Sequence, residues 1–229
     1  MKKISLILLS SLIVNLISAQ NCSYFPMKKG VFLKYESYSS KDKLESSSKT
    51  EILDVSTSGD KTTATTEITS FDKKGKEVYK TELPVICDNG ELIIDMKSLI
   101  PEETLEGFKD MDVKIETDNL IIPKNAKPGQ KLNDGHMSIS VTTNGMDLGT
   151  FKFDITNREV SGQEKITVDG KEYTALKISY NFDTKVMIVN KQYKIADWYV
   201  EGLGVVKSVT YKSDGKSIVS YTILKEHNL

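Results

Sequence analysis

Apolar and polar residues take turns along most of this chain. Phe151, Phe153 and Ile155 share one parity against Lys152, Asp154 and Thr156, and Leu176, Ile178, Tyr180 and Phe182 alternate with Lys177, Ser179, Asn181 and Asp183. A period of two gives a strand one dry and one wet face, whereas a helical stripe needs apolar residues three and four apart. Met137, Ile139 and Val141 repeat the pattern. Val205, Val209 and Tyr211, followed by Val219, Tyr221 and Ile223, predict a terminal hairpin. Val31, Leu33 and Tyr35 open the first strand, and Ser46 to Ser48 and Thr62 to Thr66 predict hydroxyl-rich faces on edge or long protruding strands.

Turn signals separate these runs at Ser58-Gly59-Asp60, Asp72 to Gly75, Asp88-Asn89-Gly90, Asn144-Gly145, Asp169-Gly170 and Asp214-Gly215. Tight hairpins demand positive φ, which glycine adopts freely and asparagine or aspartate tolerate. Successive hairpins predict an all-β, mostly antiparallel fold: one large curved sheet or half-open barrel of about 10–12 strands. One short helix is expected over Pro101 to Lys109, with Pro101 first, Glu102 and Glu103 at its positive end, and Leu105 and Phe108 on one face. It would cover the sheet's open mouth or cross its surface. Pro123 to Gly129 reads as a turn-rich connector, with Pro128-Gly129 suited to the middle of a type II turn. No break in composition divides residues 20–229, which are expected to form a single β domain.

Ahead of that domain, Met1, Lys2 and Lys3 precede an apolar stretch from Ile4 to Ile17 and then Ser18, Ala19 and Gln20. This is the pattern of a secretory signal peptide, residues 1–19, cut after Ala19. The apolar run, about 14 residues, falls short of the ~20 that a membrane anchor needs. Asn21 immediately before Cys22 argues against a lipid-accepting cysteine, which wants a small residue there. The expected location is therefore periplasmic or extracellular. The 31 basic and 32 acidic residues give a net charge of −1, and removal of Lys2 and Lys3 with the leader makes it −3, which excludes nucleic acid as a partner. Arg158 is the only arginine, so the many lysines read as solvated faces and strand edges rather than a guanidinium cluster.

Cys22 and Cys87 are the only cysteines, and an exported pair is more often bridged than free. A Cys22–Cys87 disulfide is predicted. Closing a loop of about 65 residues, it would restrict the unfolded chain by about 4 kcal/mol and pin the N-terminal arm 20–30. A catalytic thiol would need a base, and neither His136 nor His227 is near either cysteine in sequence. Two isolated histidines do not make a zinc site. A Ser-His-Asp triad would have to use His136, and no Gly-x-Ser-x-Gly elbow occurs. A glycosidase pair such as Glu164 with Asp183 can be named, but only spatial separation decides it. No phosphate-cradling loop, calcium loop or base-stacking platform is present, so no catalytic residue, metal ligand or cofactor site is expected.

The most distinctive stretch runs from Asp197 to Lys207 and holds the only tryptophan. Trp198 and Tyr199 end a strand, Gly202 and Gly204 permit a tight reversal or close backbone approach, and Val205 opens the next strand before Lys207. A packed hairpin corner is the expected role. This Trp-Tyr-x-x-Gly-x-Gly-x-Val-Lys motif, with Asn21-Cys22, Pro26, Gly30 and Cys87-Asp88-Asn89-Gly90, resembles the secreted TapB family of Bacteroidota and the bacterial domain of unknown function 3108. The resemblance implies an exported protein without an established activity, and it carries over no catalytic residue.

The function expected from these readings is a non-catalytic envelope protein. Its concave sheet would bind an apolar ligand or another envelope protein, similar to periplasmic lipoprotein carriers. The alternative is an envelope hydrolase acting on a glycan through paired carboxylates. An outer-membrane barrel would need apolar outward faces, which strands this rich in lysine, serine and threonine do not offer.

Overall fold

The computed structural model describes residues 22–99, 111–186 and 189–229. The leader, Gln20, Asn21 and the helix expected over Pro101 to Lys109 lie outside them. The first half of the chain forms β1 (Phe32–Ser39), β2 (Leu44–Ser58), β3 (Lys61–Asp72), β4 (Glu77–Asp88) and β5 (Glu91–Asp95), then a single 3-10 turn at Met96–Leu99. Two short strands follow, β6 (Asp112–Thr117) and β7 (Asn119–Ile122). The second half forms β8 (Gly135–Thr143), β9 (Met146–Val168), β10 (Lys171–Val186), β11 (Val189–Val200), β12 (Gly204–Lys212) and β13 (Ile218–His227). These thirteen strands, slightly more than the sequence suggested, make one antiparallel sheet.

The hairpins follow from local chemistry. Asn89-Gly90, Asn144-Gly145 and Asp169-Gly170 all take positive φ at both residues, the type I′ geometry whose twist matches that of the flanking strands. The strand order is β6-β8-β9-β10-β11-β12-β13-β1-β2-β3-β4-β5-β7. Its two ends are therefore neighbours in the chain, separated only by Asp118. β6 pairs with β8 at one edge and β7 pairs with β5 at the other, so a single bent segment brings the edges together and makes the sheet a nearly closed barrel. At the bend, the Asp118 amide donates to the His136 carbonyl at 3.0 Å, and Asp118 Oδ2 accepts the His136 amide at 3.0 Å.

β2 and β3 are central strands, not the edge strands their polarity suggested. Threonine suits a pleated surface and its hydroxyl can be satisfied locally. Thr62, Ala64 and Thr66 are all buried on one parity, with Thr66 Oγ1 donating to the Leu83 carbonyl at 2.7 Å.

Residues from strands far apart in the order identify the concave face. Cys87, Leu92 and Ile122, from β4, β5 and β7, pack in one cluster with Val160, Ile178 and Tyr199 from β9, β10 and β11. They meet because the sheet curls round on itself. A second inner cluster joins Met96 and Leu120 to Met137, Ile139 and Val141 of β8. Each fully buried aliphatic side chain here contributes about 1.5–3 kcal/mol. Gly135 opens β8 where a Cβ would lie 2.5 Å from Leu120 Cδ2 and 2.6 Å from Met96 Sδ, so only glycine lets this seam close.

The convex side carries its own core. Register places Trp198 opposite both Lys177 and Lys207, and Ala196 opposite Val209, on the face away from Tyr199. Val168 and Ala175, near the tip of the β9–β10 hairpin, join Ala196, Trp198 and Val209 in that cluster. The hairpin bends back far enough for Asp169 at its tip to pair with Lys225 of β13.

Candidate functional site

The barrel interior holds a polar cluster built by a fault in the β9–β10 ladder. Ser179 pairs with Glu159 but Asn181 pairs with Thr156, so a bulge stands at Asn157 and Arg158, and Asn157 takes φ 56°. The extra residue re-aims the strand. Phe153 and Ile155 point inward on odd parity before the bulge, and Arg158 and Val160 point inward on even parity after it. The only arginine is thus turned into the barrel, where it is 3% exposed.

Arg158 Nη1 donates to the Asn133 carbonyl at 2.8 Å, to Asn133 Oδ1 at 3.1 Å and to the Ile121 carbonyl at 3.4 Å. Asn133 in turn donates from Nδ2 to the Asn119 carbonyl at 2.7 Å and accepts the Ile121 amide at 2.9 Å. An asparagine side chain and a guanidinium therefore satisfy backbone groups of β7, which ends the strand order. Burial lowers the Arg158 pKa, while nearby Tyr199, Tyr180 and Asp197 act in the opposite direction.

Asp197 is the buried acid of this cluster. Tyr180 donates its hydroxyl to Asp197 Oδ2 at 2.9 Å, and Ser208 supplies a second hydrogen bond. Burial raises the Asp197 pKa above its ordinary 3.8, and the bonds from Ser208 and Tyr180 and the charge of Arg158 pull it back in part. A carboxyl with a raised folded pKa binds its proton more tightly in the folded than in the unfolded state. Its contribution is then largest at low pH and is lost as pH climbs from 3.8 through the folded value. Asp197→Asn is expected to remove that part of the pH dependence. Urea midpoints of both proteins across the acid-to-neutral range check this, and parallel curves would refute it.

The Trp-Tyr motif receives the N-terminal arm. The Gly202 amide donates to the Ser23 carbonyl at 2.8 Å. Gly204, at φ 99°, brings its backbone so near Tyr24 that a Cβ would sit 3.3 Å from the Tyr24 carbonyl oxygen. Tyr24 and Tyr199 meet edge to face at 6.1 Å. On the other face, Lys177 and Lys207 lie over the Trp198 ring at 4.9 and 5.0 Å, and the indole N–H donates to Glu164 Oε1 at 2.5 Å. The arm carries Cys22 into the same inner cluster as Cys87 and Tyr199, where the two buried cysteines stand as thiols joined by a hydrogen bond. Burial first, then that bond, pushes the Cys22 thiol up, and burial raises Cys87 as well.

Among the described residues, the sheet carries grooves on both of its sides. One, of about 440 Å³, is lined by Ser37, Ser46, Ser47, Ser48 and Ser70 with Glu45 and Asp72, and by two apolar side chains, Phe71 and Val78. Ser48 pairs with Tyr35 and Ser70, and the half-buried Tyr35 donates its hydroxyl to the Val205 carbonyl at 3.0 Å. From this groove a polar row crosses six strands: Asp72 pairs with Ser46, Ser46 with Ser37, Ser37 with Thr222, Thr222 with Ser208, and Ser208 with Asp197. Residues paired across strands share a face. Ser37, Ser46, Ser48, Ser70 and Asp72 of the groove therefore share the concave face, where hydroxyls stand in place of the apolar surface expected from the sequence, while Ser47 and Phe71 come from the opposite parity. Another groove lies on the convex side and is lined by lysines.

The carboxylate pair considered from sequence does not form. Glu164 pairs with Ala175, eight residues along β10 from Asp183, so the two acids are about 25 Å apart at the rise of an extended strand. His136 is exposed, with Nδ1 2.8 Å from Asp154 Oδ1, and that bond raises its pKa. His227 sits at the end of β13, its pKa lowered by burial. Among the described residues, no group of three or more His, Cys, Asp or Glu is placed to hold a metal ion.

Comparison with known proteins gives a family but no activity. The DUF3108-like family model matches residues 28–224, nearly the whole sheet. The chain belongs to the DUF3108-like family. No curated protein matches it significantly. Among solved structures, it is similar to a Bacteroides fragilis protein described as exported and as having a YmcC-like fold, with TM-score 0.72 and 18% identity over 91% of this chain and 100% of that one. A Parabacteroides distasonis protein described as a lipoprotein is similar at TM-score 0.72 and 21% identity, again over 91% of this chain and 100% of that one. At such identities the likeness establishes the fold, so the DUF3108-like chain described here has a YmcC-like barrel.

Proposed function

We propose that this DUF3108-like protein is an exported, non-catalytic binding module of the cell envelope whose concave groove takes a neutral, hydroxyl-rich ligand of the saccharide class. The observation that carries the reading is the set of hydroxyls lining the groove, Ser37, Ser46, Ser48 and Ser70 beside Asp72, which the register continues as a polar row through Thr222 and Ser208. Serine and threonine hydroxyls both donate and accept, which suits a ligand whose own groups are hydroxyls. Ser37 already bonds Thr222 at 2.9 Å, but an acyl chain in the groove would strip Ser46, Ser48 and Ser70 of water and return no bond, at about 1–3 kcal/mol for each. A polar ligand is therefore the better match than the apolar one the sequence suggested.

Asp72, the acid of the row that lines the groove, supports a binding role. Asp72 Oδ1 accepts the Lys74 amide at 2.8 Å and the Lys76 amide at 3.0 Å, and these bonds hold its carboxyl below the usual range, the wrong direction for a general acid. The leader-like residues 1–19 and the descriptions of the two structural relatives support export. The finer kinship with the TapB family rests on the Trp198-to-Lys207 motif.

Titration with neutral oligosaccharides, followed by amide chemical shifts, tests the proposal. Shifts are expected to cluster on β1, β2 and β3, and Ser48→Val or Ser70→Val is expected to weaken binding about fivefold, the effect of one lost hydrogen bond. Binding of a fatty acid in this groove, with no response to saccharides, would replace this reading by the carrier reading.

A further inference from the structure

The convex groove, about 410 Å³, gathers Lys131, Lys177, Lys194 and Lys216 from four separate segments of the chain, with Glu159 as its one acid. Lys131 already pairs with Glu159. Among the described residues neither Lys194 nor Lys216 has an ion-pair partner, and the nearest carboxylate oxygen to Lys177 is that of Glu164 at 3.9 Å. A chain whose net charge is −1 thus presents a concentrated positive field in one concavity. The two ammonium groups without an ion-pair partner, Lys194 and Lys216, leave an uncompensated positive charge that a bound anion would neutralise.

The floor of this groove is the bulge itself. Asn157, in the left-handed conformation, lines the groove on the convex side while its neighbour Arg158 turns inward. Asparagine tolerates this conformation, and the bulge that requires it is what turns the Asn157 side chain to the convex side. Ser179 and Asn181 flank it from β10, and Tyr211 contributes an aromatic wall. Lys194 is held in place by its stem, which packs so closely on Gly215 that a Cβ there would meet Lys194 Cδ at 3.1 Å. Point charges, side-chain amides, a hydroxyl and aromatic residues occur together in this concavity.

We infer that the convex groove binds an anionic saccharide, its carboxylate or phosphate oxygens held by Lys194 and Lys216 and its hydroxyls by Asn157, Ser179 and Asn181. This site is separate from the concave groove and does not depend on it.

Calorimetric titration of the protein with tetragalacturonate, fructose 1,6-bisphosphate and uncharged maltotetraose tests the inference, with the first two distinguishing a carboxylated from a phosphorylated ligand. At least one anion is expected to bind, and raising the salt from about 0.01 M to 0.1 M, which shortens the screening length from about 30 to 10 Å, is expected to weaken it. The double variant Lys194→Glu/Lys216→Glu is expected to lower that affinity by about tenfold or more. Asn157→Gly, which keeps the backbone conformation, is expected to lower it about fivefold. Ser48→Val is expected to leave it unchanged. Circular dichroism and the thermal midpoint verify that each variant is folded. No anion binding at low salt, equal binding of maltotetraose at this site, or an unaltered affinity in the folded double variant would overturn the inference.

Discussion

Arg158→Met is expected to lower the unfolding free energy by about 3–5 kcal/mol, the cost of breaking a buried charge network from one side. Methionine fills much of the space but leaves the carbonyls of Asn133 and Ile121 without the guanidinium that bonds them. It also removes a positive charge that favours the ionised form of Asp197, so the buried carboxyl is pushed further up and stability falls more steeply as pH rises toward neutral. Arg158→Lys should recover little, because all three bonds leave from Nη1 and a lysine ammonium ends about one bond short of that position. Urea unfolding monitored by the single tryptophan gives the magnitude. Hydrogen exchange at the Ile121 amide, bonded to Asn133, locates the effect, since opening of the seam exposes β7 before the rest of the sheet. A loss below about 1 kcal/mol, in the range of an exposed ion pair, would mean that the seam is held by packing alone.

The period of two was legible because each strand's core face is local information, and Asn-Gly or Asp-Gly turns mark where the chain reverses. What closes the barrel was not. Asp118 stands between strands that pair with β8 on one side and β5 on the other, a relation no window of neighbouring residues contains. The bulge did leave a trace. Inward parity is odd through Ile155 and even from Arg158 to Val160, and a change of parity within one uninterrupted run requires an extra residue. That switch, together with the sole arginine beside it, was the available signal for the buried cluster. The polarity of Ser46 to Ser48 was visible, but the curl of the sheet decides whether those hydroxyls face solvent or a concave groove. The four groove lysines were unreadable as a set, because Lys131, Lys177, Lys194 and Lys216 come together only through the sheet register and the β12–β13 turn.

Reduction of the protein isolated from its own envelope is expected to lower its stability by about 4 kcal/mol, equivalent to a thermal shift of about 8–16 °C for a chain of this size. The expectation rests on a Cys22–Cys87 bond in the mature protein, for which the fold brings the two thiols into contact. As thiols, both are buried and raised in pKa, so neither is an effective nucleophile once the barrel has closed over them. The bond is therefore expected to form while the arm from Cys22 to Pro26 is still open, before Gly202 and Gly204 receive Ser23 and Tyr24. Protein folded under reducing conditions is then expected to oxidise slowly, and Cys22→Ser is expected to show the reduced stability with or without reductant. Intact mass under non-reducing conditions, with and without alkylation of the unfolded chain, reports the bond directly. Two alkylatable thiols in the envelope-derived protein, and a thermal midpoint indifferent to reductant, would show that the arm is held by the Tyr24–Tyr199 contact and the Ser23–Gly202 hydrogen bond without a covalent tie.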